Sequence, residues 1–559
     1  MNTSLARAVV PLLVCLAVTA CSSNEPTSGG SAAAPTSPTG PGPGPEPGPT
    51  PADTTRPTIA ITTPTSGTTY TATTGSLNLA GTAGDNVGVT QVTWSNSLGG
   101  SGAASGTTSW SANNVSLQTG SNILTVTARD AAGNTNTDVL TVTYNPAGGG
   151  GSTADCSPST VLCVDDTAGA TREYTTIQAA ADAARPGDTV LVHDGNYVGF
   201  QITRSGTPAA PIVFRANGAG VVINRDEPST SDGIRFQNVS HVTVEGFRIQ
   251  DTTARCIAAR GATATAPMTN LVIRNNTCTN GGTQGFYLSQ VSNSLVENNR
   301  ISRTRGDSAN NNGHGIYLAN AGCDNTIIRG NVIFDNVGSP SAEGIHFNGD
   351  VSIGGDGIIS GLTVENNILY NNQNNGLNMD GVQDSVIRNN LIYGNGRHAL
   401  RVYQIDASAG PARLTIVNNT FVTSSSSGWA IKLSEDGGGH TIFNNILIGT
   451  SGSLSVGHAN VVSNNNAVVS RFSADDDSTT IGLSAWQSQT GNDANSFTAS
   501  STNLFVDSTM SDYRLSVSSP AVDRGLASLN GILAPTADLT GTARPQGSAF
   551  DIGAYESSQ

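Results

Sequence analysis

The sequence predicts an all-β protein whose larger part is a solenoid of stacked coils, preceded by a small β-sandwich. The 559-residue chain contains 65 glycines and only 5% aromatic residues, a composition that favours turns and short strands over helices. Short alternations of apolar and polar residues fill residues 57–145, and a pattern of asparagine followed by an apolar residue recurs from 276 to 445. A chain this long exceeds one compact core, whereas stacked repeats have no size limit.

The first 56 residues are predicted to be a signal peptide and a linker. Arg7 precedes the apolar run 8–20, which ends Val18-Thr19-Ala20-Cys21, and this order is typical of an export signal. The last four residues resemble a bacterial lipobox. That resemblance implies a lipoprotein signal peptide over 1–20, lipidation of Cys21 and anchoring to the cell envelope, either the outer membrane or the cell surface. An ordinary secretion signal is the alternative. Residues 21–56 are rich in Pro, Gly, Ser and Thr, so we expect a disordered linker.

Residues 57–145 are predicted to form the β-sandwich. The runs Thr58–Ile61 and Ile123–Thr127 alternate in polarity, which is typical of half-buried strands. Asp85–Val89 and Arg129–Thr135 supply turns between strands. These two turn strings resemble a bacterial immunoglobulin-like module, and the resemblance implies a spacer or stalk, with carbohydrate binding as the alternative. A Gly-rich linker follows at 146–154.

The solenoid is predicted to begin near residue 155. Tyr174–Ala184 is a helical stretch that Pro186–Asp188 ends, and the strand Thr189–Val192 follows. This string resembles the N-terminal helix and first strand of pectate-lyase-like right-handed parallel β-helices. The resemblance implies a β-helix over 155–559 whose first helix shields the open end of the core. Ser519–Gly525 and Asp551–Glu556 resemble the tail that closes such proteins.

Recurring asparagines support the solenoid independently of that resemblance. Successive spacings are 23, 32, 36, 23, 29 and 26 residues, as expected for coils of 20-odd residues with loops of variable length. We expect these side chains to stack at one bend of each coil, to hydrogen-bond along the axis and to tolerate the left-handed backbone of the bend. They are Asn276, Asn299, Asn331, Asn367, Asn390, Asn419 and Asn445.

Seven segments, from Gly233–Phe236 to Ala430–Leu433, read small, apolar, variable, apolar. Because neighbouring side chains of a strand face opposite ways, the variable residue should point outward. At about 4.8 Å per coil these residues form an outward column roughly 24 Å long. The predicted column is Tyr287, Tyr317, His346, Asn378, Arg401 and Lys432. Two residues further along stand Asn348, Asp380 and Tyr403. Three residues earlier stand His314, Glu343 and His398, which reach the same face only where the strand bends.

The resemblance implies that this column acts on polysaccharide, because β-helices of this type include lyases, epimerases and hydrolases. We expect β-elimination of a uronate polymer, with Lys432 or Arg401 as the base and His346 as an alternative proton carrier. Substrate is expected to contact Tyr287, Tyr317, Asn378, Tyr403, His398 and His314. Calcium, if bound, is expected at Glu343, Asn348, Asp350 and Asp380, which are oxygen donors. The alternatives are a lipid-anchored glycan-binding or adhesion protein and a glycoside hydrolase that uses Glu343 and Asp380.

Charge and cysteine content limit the partners. The net charge of −15 argues against nucleic acid, which needs a basic face. We expect an acidic polysaccharide as partner, membrane contact through the N-terminal lipid only, and a monomer. Apart from Cys15 in the signal and Cys21, five cysteines remain. Cys156 and Cys163 are close enough in sequence to be bridged in an oxidising compartment, and the odd count leaves at least one thiol unpaired.

Overall fold

The computed structural model describes residues 53–557 except 73–75, 97–99, 118–119, 145–155, 157, 168–172, 307–311, 425–427, 436 and 458–459. The predicted signal peptide, Cys21, nearly all of the first linker and the Gly-rich linker therefore lie outside the described residues. None of the described helices is long and apolar enough to cross a membrane.

Residues 58–144 form a sandwich of two sheets. A three-stranded antiparallel sheet contains Thr58–Thr63, Ser76–Gly84 and Ser109–Ser116. The second sheet contains, in order, Thr69–Ala72, Thr135–Tyr144, Gly120–Asp130, Val89–Asn96 and Ser101–Ala103, and its first pair is parallel. Alternate residues such as Leu124, Val126 and Ala128 are fully buried between the sheets, as the alternating pattern predicts.

The rest of the chain winds into a parallel β-helix with three strands in each complete coil. On the first face lie Val161–Val164, Thr189–Val198, Ile212–Arg225, Val242–Glu245, Leu271–Arg274, Leu295–Glu297, Ile327–Arg329, Thr363–Glu365, Val386–Arg388, Thr415–Val417, His440–Phe443 and Val461–Asn464. On the second face lie Arg248–Gln250, Thr277–Thr279, Arg300–Ser302, Val332–Phe334, Ile368–Tyr370, Leu391–Tyr393, Thr420–Val422, Ile446–Ile448, Ala467–Val468 and Phe497–Thr498.

The third face is an 11-stranded parallel sheet, which we call the groove sheet. Its strands are Phe200–Ile202, Ile234–Gln237, Arg255–Arg260, Gln284–Ser289, Ile316–Ala319, Ile345–Asn348, Leu377–Asp380, Leu400–Tyr403, Trp429–Leu433, Gly452–Val456 and Phe472–Ser473. Short two-stranded pairs join Met268–Thr269 to Val291–Ser292, Ile359–Ser360 to Val382–Gln383, Phe505–Asp507 to Asp512–Leu515, and Ser528–Leu529 to Ile532–Leu533. One apolar core, filled from all three faces, runs through the coils.

The predicted asparagine ladder is present between the first and second faces. Asn331, for example, accepts from both nitrogens of Asn299 at 3.0 Å and donates to Asn367 at 3.0 Å. The left-handed backbone, however, belongs to the residue before each ladder position, such as Asn298 or Asn366, or Gly330 before Asn331. The two tasks expected of one asparagine are therefore divided between neighbours: one makes the turn and the next joins the coils.

Helices cover the two ends of the core. Ile177–Ala183 buries Ile177, Ala180 and Ala181, and its N-cap Thr176 accepts from the Ala179 N–H at 3.2 Å, as is typical of a capped helix. At the other end Leu483–Thr490 places Trp486 on Phe472, with ring centroids 5.1 Å apart. A short helix, Ser501–Leu504, and the 3-10 helices Val351–Ile353 and Ser508–Met510 complete the described helices.

The C-terminal tail differs from the predicted cap, because it lies along the side of the coils. The turn asparagines Asn389, Asn418 and Asn444 donate to tail carbonyls at 2.7–2.9 Å. The tail is held on itself by a fully buried ion pair between Arg544 and Glu556 at 2.8 Å. The helix Leu483–Thr490 covers the C-terminal end of the core instead, because its Trp486 indole extends that core beyond the last coil.

Four of the five cysteines that the structure describes form two disulfides. Cys156–Cys163 is bridged, as predicted, and a second disulfide joins Cys256 to Cys278 inside the core. Cys323 is the unpaired thiol; it is fully buried, and burial raises its pKa to about 12. An inert structural role for Cys323 follows from that environment.

Candidate functional site

The groove sheet brings the six predicted column residues into one row. Parallel pairing sets each beside its counterpart on the next coil, in the order Tyr287, Tyr317, His346, Asn378, Arg401 and Lys432. The row continues past both predicted ends, through Ala258 to Arg235 on one side and to Ser455 on the other. Residues scattered over more than 200 positions of sequence thus share one surface.

The middle of the row is aromatic. The rings of Tyr317 and His346 stack with centroids 4.8 Å apart and planes at 14°, and Tyr287 meets Tyr317 edge-on at 5.6 Å. His314, three residues before Tyr317, contacts the rings of both Tyr317 and His346 at 5.1 and 4.7 Å. The chain therefore bends before Tyr317, as predicted, so that the His314 ring lies on the same face as the row and packs against its aromatic rings.

A chain of hydrogen bonds leads from the Glu343 backbone to the Tyr403 phenol. The Glu343 N–H donates to His314 Nδ1 at 3.2 Å, His314 Nε2 lies 3.3 Å from His346 Nδ1, and His346 Nε2 lies 3.3 Å from Tyr403 Oη. A backbone N–H can only donate, so a neutral His314 carries its proton on Nε2. The next imidazole must then accept at Nδ1 and donate from Nε2 to Tyr403. Burial, His314 and Arg401 lower the pKa of His346, which keeps it neutral.

A second chain reaches the same oxygen from the other side. The His398 N–H donates to Asn375 Oδ1 at 3.0 Å, and Asn375 Nδ2 donates to Asn378 Oδ1 at 3.3 Å. These contacts orient the Asn378 amide so that its Nδ2 donates to Tyr403 Oη at 2.9 Å. Two N–H donors, each oriented from a backbone N–H, therefore converge on one phenol oxygen.

Groups around Tyr403 shift its pKa in opposite directions. Burial raises the pKa of Tyr403, and the nearby Asp380 carboxylate raises it further, whereas Arg401 and the Asn378 hydrogen bond lower it. The Arg401 guanidinium lies 4.1 Å from the Tyr403 ring centroid. The site thus keeps a protonated phenol at neutral pH but provides direct stabilisation for a phenolate.

Glu343 is a buried carboxyl beside this network. It accepts hydrogen bonds from Asn374 Nδ2 at 3.0 Å and from both nitrogens of Asn375. Burial outweighs these donors and the positive charges of Arg401 and Arg397, and it raises the pKa of Glu343 to about 8. Its role in the structure is to fix the Asn375 amide that orients Asn378.

Lys432 lies at the C-terminal end of the row and is ion-paired. Its Nζ is 3.1 Å from Asp477 Oδ2 and 3.6 Å from Asp476 Oδ1. The Trp429 indole and the Ser434 hydroxyl also donate to these two carboxylates. The acidic loop that carries Asp476 and Asp477 is therefore docked on the sheet. The Lys432 side chain is thus engaged by two carboxylates at the end of the row.

The four predicted calcium ligands do not form an oxygen cluster. Asp380 accepts from two backbone N–H groups at 2.8 and 2.9 Å, Asp350 caps a 3-10 helix, and Glu343 is the neutral carboxyl described above. Asn348 Nδ2 donates to Asp406 Oδ2 at 3.5 Å. Within the described residues, none of these carboxylates belongs to a group of three or more ligating side chains near enough to share an ion. The residues present do not fit calcium, so no chemical step is assigned to it.

Four predicted substrate contacts are buried rather than offered to solvent. His314, Asn378 and His398 expose 2–3% of their surface, and Tyr403 exposes 6%. His398 Nδ1 accepts the Trp429 N–H at 3.0 Å, while its Nε2 is buried and has no hydrogen-bond partner among the described residues. These side chains position the surface residues Tyr287, Tyr317, His346, Arg401 and Lys432, which are half-buried.

The orienting role of Asn375 and the docking of Asp476 and Asp477 were not predicted from the sequence. The first was recognisable, because Asn375 stands three residues before Asn378, in the same register as His314. The second was not, because two further coils separate Asp477 in sequence from the strand Trp429–Leu433 that it contacts. The row also extends to Arg235, which the small–apolar–variable–apolar pattern had already aligned.

Family comparisons agree with this architecture. Residues 310–468 match the model for a right-handed β-helix region, residues 187–354 match that for the periplasmic copper-binding protein NosD, and residues 57–126 match a bacterial Ig domain. The fold is a right-handed parallel β-helix preceded by an Ig-like sandwich. This confirms the predicted fold class, including the handedness of the coils.

Individual relatives are distant. An uncharacterized protein of Bacillus subtilis (strain 168), YwoF, is 24% identical over 235 residues, which is 40% of this chain and 42% of YwoF. Pectate lyase Pel9A aligns over 71% of this chain and 96% of its own at 17% identity, with a TM-score of 0.38. XylC in complex with xylose covers 70% and 98% at 12% identity, with a TM-score of 0.44. Similarity at this level does not assign a substrate.

Proposed function

We propose that this chain binds an anionic polysaccharide along the row and cleaves it by β-elimination beside Tyr403. One observation carries the proposal: two oriented N–H donors converge on Tyr403 Oη, and a guanidinium lies on its ring. Hydrogen bonds to the ionised form stabilise the phenolate as a base, while burial keeps it the minor form at neutral pH. The Arg401 guanidinium is the group best suited to meet a uronate carboxylate.

The proposed elimination needs only side chains of this protein, and its protons and electrons balance. Tyr403, as phenolate, removes the proton from the carbon beside the uronate carboxylate, and Arg401 stabilises the negative charge that then develops on that carboxylate. The electron pair forms a carbon–carbon double bond as the bond to the glycosidic oxygen breaks. The proton now on Tyr403 passes to that oxygen, which returns the phenolate. Lys432, predicted as a base, is not needed in this scheme.

The length and composition of the row suit a polymer. From Tyr287 to Lys432 it spans five coil steps, roughly 24 Å at about 4.8 Å each. Tyr287 and Tyr317 offer aromatic surface on which sugar rings stack, and Arg401 offers charge. A hydrolase is disfavoured, because both oxygens of Asp380 accept backbone N–H groups. Glu343 is buried, and both of its oxygens are held by Asn374 and Asn375.

The test is turnover of uronate polymers, followed through the ultraviolet absorbance of an unsaturated uronate. We expect wild-type activity and a loss on the order of 10²- to 10⁴-fold in kcat for Tyr403→Phe, the usual contribution of a positioned proton-transfer group. Tyr370→Phe is the matched control, because Tyr370 lies in a tyrosine stack on the second face. No new absorbance with any uronate polymer, or full activity of Tyr403→Phe, would rule the proposal out.

A glycan-binding protein without turnover is the second candidate. The stacked rings of Tyr317 and His346 favour it, since they provide a sugar-binding surface that requires no chemistry. Polymer binding that is lost in Tyr317→Ala, without product formation by the wild type, would select this function.

We also propose that the protein works outside the cytoplasm, anchored through a lipid on Cys21. Two disulfides support an oxidising compartment, and the description of one matching family as periplasmic agrees with it. Metabolic labelling with a radioactive fatty acid should mark the wild type but not Cys21→Ala.

A further inference from the structure

Three arginines gather on the groove sheet just before Tyr287. Arg235 stands in the row itself, with only Ala258 between it and Tyr287. Arg255 and Arg260 flank the row at the two ends of one strand, and their guanidinium carbons lie 5.1 and 4.9 Å from the Tyr287 ring centroid. Ala258 points outward yet has no exposed surface. The larger side chains therefore close over it and form a continuous surface, which we call the arginine cluster.

The positive charge of this cluster is only partly neutralised. Asp232, which is fully buried, lies 3.1 Å from Arg235 and 3.5 Å from Arg255. Arg260 makes no ion pair or side-chain hydrogen bond within the described part of the chain, and its Nε and that of Arg235 are buried without partners. One carboxylate among three guanidinium groups leaves two positive charges, on a chain whose net charge is −15.

Such an arrangement is unfavourable without an anion. Burial and repulsion by Arg255 and Arg235 lower the pKa of Arg260, which shows that the groups lie close enough to destabilise one another. A bound anion would remove the repulsion and satisfy the unpartnered N–H groups. Guanidinium forks bind paired oxygens of carboxylate or sulfate in two-point contacts.

We propose that the arginine cluster is a subsite for an acidic substituent, a carboxylate or a sulfate ester, of a polysaccharide lying in the groove. This inference rests on the proposed function, because it places the same polymer on the same row. Ala258 and Arg401 are five coil steps apart, roughly 24 Å at about 4.8 Å each. The cluster therefore contacts a part of the polymer remote from Tyr403 and contributes to affinity without taking part in bond breaking.

The experiment measures binding of the full chain by titration calorimetry to three polymers of equal length: a polyuronate, a sulfated polysaccharide and a neutral glucan. We expect wild type to bind at least one acidic polymer and not the neutral one. Arg255→Gln combined with Arg260→Gln should weaken that binding on the order of 10- to 100-fold, since charge-assisted hydrogen bonds are lost. Arg329→Gln, which removes a guanidinium from the first face, is the matched control.

The outcomes separate this inference from the proposed lyase activity. Weakened acidic-polymer binding in the double variant supports the subsite, whether or not unsaturated product forms, and the polymer that responds identifies the substituent. Unchanged binding overturns the subsite even if elimination occurs, as does equal binding of the neutral glucan. If the circular dichroism of the double variant is not native, Arg260→Gln alone takes its place, because Arg260 has no ion pair to lose.

Discussion

Replacing Asn331 by alanine should destabilise the β-helix far more than the loss of one polar side chain suggests. The Asn331 side chain is fully buried and makes five hydrogen bonds across three coils. Its removal leaves at least the Asn299 N–H and the Val296 carbonyl without these partners. At about 1–3 kcal/mol for each buried unsatisfied group, the free energy of unfolding should fall by about 4 kcal/mol.

Urea unfolding followed by far-ultraviolet circular dichroism measures this loss. The matched control is Asn495→Ala, because Asn495 is exposed and a surface substitution of this kind changes stability by only about 0.5 kcal/mol. If Asn331→Ala unfolded within about 1 kcal/mol of that control, hydrogen bonding along the ladder would not be what holds neighbouring coils together.

Three further predictions concern titration and reactivity. Burial and nearby cations lower the pKa of His398 from 6.5 to about 3, so below pH 6.5 the unfolded chain binds a proton that the folded chain does not, and the free energy of unfolding decreases as the pH falls. His398→Asn should remove about 2 kcal/mol of the decrease in this free energy between pH 6.5 and 5, measured by urea unfolding. An equal decrease in the variant and in the wild type would contradict this prediction. Because burial raises the pKa of Tyr403, kcat/KM for elimination should rise with pH through the alkaline range, and a maximum near pH 6 would exclude Tyr403 as the base. Cys323, buried with a pKa near 12, should react with a thiol reagent only in denaturant, and rapid native labelling would show that the surrounding core opens.

The sequence was most informative where the fold repeats. The asparagine spacing and the small–apolar–variable–apolar pattern each recur in seven coils, so each repeat supports the register of the next. That redundancy is why Tyr287 and Lys432, 145 positions apart, could be assigned to one surface. The division of labour in pairs such as Asn298-Asn299 was not recognised, because both members are the same residue type and only backbone torsions distinguish them.

Chemical roles were less predictable, because they depend on contacts that do not repeat. Lys432 was a reasonable base in the row, but its two carboxylate partners come from a loop more than 40 positions later. Tyr403 was assigned to substrate binding and not to proton transfer, because the two groups that hydrogen-bond to its oxygen lie on earlier coils and could not be recognised from the sequence. Alternation within a strand gives the direction of a side chain, whereas its protonation depends on neighbours that only the folded coils supply.

The proposed chemistry depends on the same register that stabilises the fold. The tautomer of His314 is set by the Glu343 N–H, and the orientation of Asn375 by the His398 N–H, and both donors lie on the following coil. If two coils slipped by one residue, both N–H groups would be displaced and Tyr403 would lose its oriented donors. Stable coil-to-coil hydrogen bonding is therefore a requirement for proton transfer, and a ladder variant that still folds should lose turnover before it loses secondary structure.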